Sequence, residues 1–266
     1  MVGAVLLMGM AARLQASEPE WRVGVQTYTF HNFTLAETLD KTQALGLDCT
    51  EAFFFQELGK PFPKETYLNF DMSDSDRERL LAEYRKRGIE PVAFGVASYG
   101  TAEEWEQFFS FAKAMGAKII TAEPELNQLD MIESLAKKYD IEVAIHNHPN
   151  PSIYASADVV VKALEGRSSM LGVCADIGHW ARVGEDPLAN LKRLEGRVKI
   201  VHLKDLTKGE MKDATWGTGI LPVKAFVEEL KRQNFDGLIT IEYENYESDS
   251  LDDIRQSLKF LKSCSE

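Results

Sequence analysis

Basic charge is what this sequence has too little of. Lys and Arg total 30 against 42 Asp and Glu, a formal net charge of -12. A nucleic-acid partner would ask for a basic face, so that class is set aside. Cysteine is scarce as well. Three residues cannot all pair with one another, Cys49 and Cys174 sit in apolar strand-like runs, and Cys264 lies in the tail. Buried apolar thiols, with no disulfide framework, are expected. No apolar run is long enough to span a bilayer, since the stretch 2–12 is closed by Arg13. No glycine stands in QTYTFHNF, where a doubly wound nucleotide-binding sheet would carry its phosphate loop. No low-complexity linker divides the chain, so one domain is expected over residues 21–266.

The first 20 residues read differently from the rest. Residues 2–12 are apolar and small, and LQAS at 14–17 resembles a cleavage site. The segment reads as a signal peptide cut after Ala16, although it has no basic stretch in front. Export to the periplasm follows if that reading holds, and a cytoplasmic protein if it does not.

What the chain does have is a repeated alternation of strand and helix. Strand-like runs are expected at residues 21–30, 48–55, 90–98, 118–123, 142–148, 172–176, from 198 and from 237. Amphipathic helices are expected at 35–45, 74–87, 102–115, 126–139, 156–164, 187–194, 221–233 and 250–263, with Thr34, Ser73 or Asp74, and Thr101 as caps. Eight strands, each followed by a helix, over roughly 250 residues is the pattern of a (β/α)8 TIM barrel.

Polar residues gather at the strand tips. The chain has five histidines. His31 follows strand one, His146 and His148 end strand five, His179 follows strand six, and His202 ends strand seven. None falls in an expected helix. Glu51, Glu123, Asp176, Glu242 and Glu244 end strands two, four, six and eight. Carboxylates in a buried strand are costly unless paired or metal-bound. A mixed cluster of imidazole and carboxylate suits one divalent metal ion, Mn, Co, Mg or Zn. Tyr28, Phe30, Phe53 to Phe55, Trp180 and Trp216 fall near the same end and are candidates for lining a ligand there.

These motifs together resemble the xylose isomerase-like TIM barrels, the sugar phosphate isomerase/epimerase and AP endonuclease 2 superfamily. GVQTYTF, Glu51, DIGH at 176–179, HLKD at 202–205, WGTG at 216–219 and IEYE at 241–244 carry the resemblance. It implies a metal held by Asp176, His202 and Glu242, with His179 and Lys204 facing substrate oxygens. Relatives place a glutamate on strand five where this chain has His146, so either Glu123 or His146 completes the ligand set. Tyr28, Glu51, His148, Trp180 and Trp216 are expected around the substrate.

The implied activity is that of a metal-dependent isomerase or epimerase on a ketose or keto-sugar. Glu242 or His146 would remove the proton beside a polarised carbonyl to give an enediolate. The histidine-rich strand five also implies a lyase like inosose dehydratase. A non-catalytic sugar-binding barrel is the third reading. The expected partner is a small sugar, and a homo-oligomer is compatible with all three readings.

Overall fold

The computed structural model describes residues 21–244 and 249–264. The signal-peptide reading therefore lies outside the described residues. Eight strands close into one parallel barrel in sequence order, β1 Arg22–Gln26, β2 Cys49–Ala52, β3 Glu90–Ala97, β4 Ile119–Ala122, β5 Glu142–His146, β6 Leu171–Asp176, β7 Val198–Leu203 and β8 Leu238–Ile241. The ring closes where β1 pairs with β8, Arg22 beside Leu238 through Val25 beside Ile241. No helix among the described residues is long and apolar enough to cross a membrane.

The helices are α1 Leu35–Ala44, α2 Asp74–Lys86, α3 Ala102–Met115, α4 Leu129–Tyr139, α5 Ala157–Leu164, α6 Ile177–Arg182, α7 Pro187–Arg193, α8 Val223–Arg232 and α9 Leu251–Ser263. Their starts follow local chemistry. Thr34 with Glu37, and Thr101 with Glu104, form reciprocal capping boxes. Gly116 ends α3 in the left-handed conformation that a side chain disfavours.

The structure corrects the expected bounds in two informative places. Strand one stops at Gln26, because the Gln26 side chain accepts the Tyr28 amide and turns residues Thr27–Phe30 into a 3-10 helix. Residues Ile177–Arg182, expected as a loop, form α6, which Asp176 caps by accepting the His179 amide at 2.7 Å. His179 and Trp180 are therefore helical.

Two layers inside the barrel position the site. Cys49, Ala93, Ala144, Cys174, Ile200 and Leu238 form a small apolar plug of their own. Two residues further along their strands stand Glu51, His146, Asp176, His202 and Thr240. The two-residue period of a strand turns each of these toward the same side as its apolar predecessor. A 2.7 Å contact between Glu51 on β2 and His202 on β7 confirms that both point across the interior. The main core lies between the sheet and the helices.

Candidate active site

His146 ends β5, Asp176 ends β6, His202 is the penultimate residue of β7, and Glu242 follows β8. One ligand atom from each comes within 4.8 Å of all the others, and all four residues are buried. His146 Nε2 lies 3.9 Å from Asp176 Oδ2, His202 Nδ1 lies 3.8 Å from the same oxygen, and His202 Nδ1 lies 3.0 Å from Glu242 Oε2. His146 Nε2 and Asp176 Oδ2 are buried without a hydrogen-bond partner among the described residues. Lys204 Nζ is 3.2 Å from that oxygen, close enough for charge attraction but outside hydrogen-bond geometry. Orphaned buried acceptors are costly. Ligand atoms 3–4 Å apart are what one ion with bonds of about 2.0–2.3 Å gathers. The four residues fit a divalent ion.

Carboxylates hold both imidazole rings of the cluster from behind. Glu123 Oε1 accepts from His146 Nδ1 at 3.1 Å, which leaves the Nε2 lone pair facing the cluster. Glu123 also binds His148 Nδ1, and its other oxygen accepts from Ser152 Oγ at 2.7 Å. Glu51 receives His202 Nε2, with Thr121 and Thr240 hydroxyls donating to the same carboxylate. Asn147 fixes the end of β6, its side chain bonding the Asp176 carbonyl at 2.9 Å and the Asp176 amide at 2.8 Å.

The rim is strongly polarised. Lys204 is buried, with Nζ 3.0 Å from Glu242 Oε2 and 2.5 Å from Glu244 Oε1. Burial penalises its charge, but Asp176 and Glu242 outweigh that and hold it protonated well above the usual lysine range. Glu242 is likewise penalised by burial, yet Lys204 and His202 keep its carboxyl well below normal, so it is a carboxylate. His202 is disfavoured as a cation by burial, but neighbours including Cys174, Glu51 and Glu242 raise it well above an ordinary histidine. His179 is pushed down to about 3, chiefly by burial. Arg182 donates to His179 Nδ1 at 3.0 Å, so the ring carries its proton on Nε2, 3.5 Å from Asp176 Oδ2. Burial opposes the charged form of His148, and Glu123 more than restores it, so its pKa is raised.

A cavity of about 480 Å3 opens over these groups, lined by Tyr28, Phe53, His148, His179, Glu242 and Glu244 among others. Another cleft, of about 470 Å3, lies at the opposite end of the barrel around Arg22, Lys118 and Lys199. Arg22 and Lys199 are already paired there with Asp48, Glu90 and Glu142. None of the ligand clusters among the described residues falls there.

The expected residues divide accordingly. His146, Asp176, His202 and Glu242 come together. His179, Lys204, His148 and Tyr28 surround them. Glu123 does not join the cluster, because it is occupied with His146, His148 and Ser152. Glu51 does not reach the cavity and is fully buried beneath His202. Trp180 and Trp216 are core residues, 0% and 2% exposed, so neither stacks on a ligand. Phe30 is core as well, while Phe54 packs among Phe94, Phe108 and Phe111. His31 stacks on Tyr28 at 4.8 Å, beyond the cluster. All three cysteines are buried and free.

Two motifs have structural causes. Gly178 in DIGH is needed because a Cβ there would come within 2.9 Å of the Lys204 stem. Asp205 in HLKD accepts the amides of Leu206, Gly217, Gly219 and Leu221, which folds the WGTG loop around it. Arg182 and Thr121 were not singled out in the sequence. Arg182 stands three residues after His179, a helical neighbour spacing that becomes visible only once 177–182 is read as helix.

The sequence profile described as xylose isomerase-like TIM barrel matches residues 39–264. A crystal structure of an uncharacterized protein from Parabacteroides distasonis is 69% identical, with a TM-score of 0.78, covering 92% of this chain and 100% of that one. An inosose dehydratase of Mesomycoplasma hyopneumoniae is 22% identical over 298 residues, 91% of this chain and 95% of the relative. The crystal structure of the IOLI protein with a bound zinc atom shares the fold at 16% identity, TM-score 0.71, covering 92% and 99%.

Proposed function

The chain belongs to the xylose isomerase-like TIM barrel family, and from that premise we propose that it is a divalent-metal-dependent enzyme that removes a proton beside the carbonyl of a keto-sugar or keto-polyol and expels a β-hydroxyl as water. The observation that carries this reading is the quartet His146, Asp176, His202 and Glu242, with two orphaned ligand atoms facing each other under an open cavity. Those four residues would hold the metal. When bound, the ion supplies Lewis-acid polarisation of the carbonyl.

The chain's own groups do the rest. Glu242, ionised and lining the cavity, accepts the α-proton. The electrons of that C–H bond form the enediolate. Its charge is met by the Lys204 ammonium and by the Nε2–H of neutral His179, a donor held in place before the charge develops. Collapse of the enediolate breaks the β C–O bond. His148, backed by Glu123, gives its proton to the departing hydroxyl, and water leaves.

Elimination is favoured over epimerisation because His146 is tied to Glu123 and aimed at the quartet. Among the described residues no strand-five carboxylate then faces Glu242 to form an exchanging pair, and Glu244, which lines the same cavity, is bonded to Lys204. The inosose dehydratase relative, similar over nearly its whole length, supports this outcome. A second reading, isomerase or epimerase on a ketose, draws on His148 itself. It is a second proton carrier at the rim and would return the proton to carbon.

The test is product analysis by NMR in deuterated water, with keto-inositols and 3-keto-glycosides beside simple ketoses. Loss of water supports the dehydratase reading. Deuterium at the α-carbon without loss of water moves the assignment to isomerase or epimerase. No exchange with any of them by the metal-loaded protein refutes the proton-abstraction reading for these substrates.

A further inference from the structure

We propose that this site selects a borderline transition-metal ion, of the zinc and cobalt class, over manganese, magnesium or calcium, and that His146 is the residue that sets the preference. The inference rests on the metal-centre reading above and asks which ion it takes.

The donor set is half nitrogen. His146 offers Nε2 and His202 offers Nδ1, beside one oxygen each from Asp176 and Glu242. Imidazole suits zinc, cobalt, iron and copper, whereas magnesium, calcium and manganese go to oxygen-rich sites. Both rings are prepared as ligands. Each faces the cluster with one nitrogen and a carboxylate with the other, the partly buried Glu123 at 3.1 Å behind His146 and the buried Glu51 at 2.7 Å behind His202. That arrangement fixes the ring and makes its free nitrogen more basic, which strengthens a bond to a transition metal and does little for a hard ion.

Charge points the same way. Hard ions depend on the number of ligand carboxylates, and the quartet has only two. Lys204 sets its ammonium 3.2 Å from Asp176 and 3.0 Å from Glu242, which reduces the negative potential further. Calcium would want six to eight oxygens, and the protein offers two here, in a buried setting.

The experiment is a competition titration on the chelator-stripped full chain, with Zn2+, Co2+, Mn2+ and Mg2+. It compares wild type with His146→Glu and Glu123→Ala. Zinc exceeds manganese at many sites, so the informative quantity is the change in their affinity ratio. His146→Glu is expected to shrink the zinc-to-manganese ratio by roughly ten- to a hundredfold, the scale on which changes around a metal's ligands act. Glu123→Ala is expected to weaken Zn2+ by a similar factor while Mn2+ changes less.

His146→Gln serves as a further variant if the added carboxylate beside Glu123 prevents folding, and it should narrow the ratio in the same direction. An unchanged ratio in folded His146 variants overturns the inference while leaving the metal centre standing. So does a wild type that binds Mn2+ as tightly as Zn2+. A folded wild type that takes up no ion at all overturns both.

Discussion

Glu51 is the group whose removal tests the construction of the site most directly. It is fully buried, and its carboxylate gathers His202 Nε2 at 2.7 Å together with the Thr121 and Thr240 hydroxyls. Glu51→Ala leaves a ring N–H without its acceptor in a buried place, and two hydroxyls with only their long 3.5 Å contacts to the Phe94 and Val201 carbonyls. Breaking a buried charged pair by deleting one member costs about 3–5 kcal/mol. That is a large part of a domain stability of about 5–15 kcal/mol, and at about 2–4 °C per kcal/mol it lowers Tm by about 6–20 °C. His202 also loses the group that orients it, so metal affinity should fall by about ten- to a hundredfold, or about 1.4–2.7 kcal/mol. The stabilisation that saturating metal confers shrinks by the same amount. Glu51→Gln keeps an acceptor for His202 and should lose only about 1–2 kcal/mol of stability. Thermal melts of the stripped and the zinc-loaded protein, beside a metal titration, read both quantities. If Glu51→Ala melts and binds metal like wild type, Glu51 does not hold His202 and the two-carboxylate backing is wrong.

Three further outcomes follow from the same geometry. Arg182→Met should free the His179 ring from its single Nε2–H form, visible in long-range 1H–15N NMR, and lower kcat by about ten- to a hundredfold with little change in KM. An unchanged tautomer would exclude Arg182 as its cause. Asp205→Ala strips four backbone amides of their acceptor and should destabilise the protein by at least about 3 kcal/mol, seen as a lower denaturation midpoint; a shift below a third of that would mean the loop is held otherwise. Metal-free protein should be most stable near pH 6.5. The raised pKa values of His202 and His148 give stability that is complete below the unfolded value of about 6.5 and lost as pH rises through the folded values. The lowered values of His146 and His179 mean that stability is lost as pH falls below about 6.5, through the folded values. A Tm that climbs steadily from pH 6 to 9 in chelator would contradict this.

Why some of this was legible in the sequence and some was not has a physical answer. The barrel was legible because each strand and helix announces itself locally, through capping residues such as Thr34 and Thr101 and through the two-residue period of the strands. His146, Asp176 and His202 follow the same period, each two places beyond an apolar barrel residue and so turned to the interior, whereas Glu242 stands two beyond Thr240, and the choice between Glu123 and His146 stayed open in the sequence. The functions of Glu51, Glu123 and Trp180 were not legible, because they depend on what lies across the barrel. Glu51 meets a histidine 151 positions away. Glu123 is drawn away from the cluster by His146 at the end of the next strand and His148 just beyond it. Trp180 is carried into the core by a short helix that begins only because Asp176 bends back to cap it. That last residue shows how closely fold and chemistry are joined here. One oxygen of Asp176 starts α6, which sets His179 over the cavity, and the other is an orphaned acceptor of the quartet. A substitution that spared the metal but lost the cap would therefore still misplace His179. Asp176→Glu, which lengthens the side chain without changing its charge, is expected to keep one metal ion per chain and lose activity. Retained activity in that variant would show that the cap is not what positions the ring.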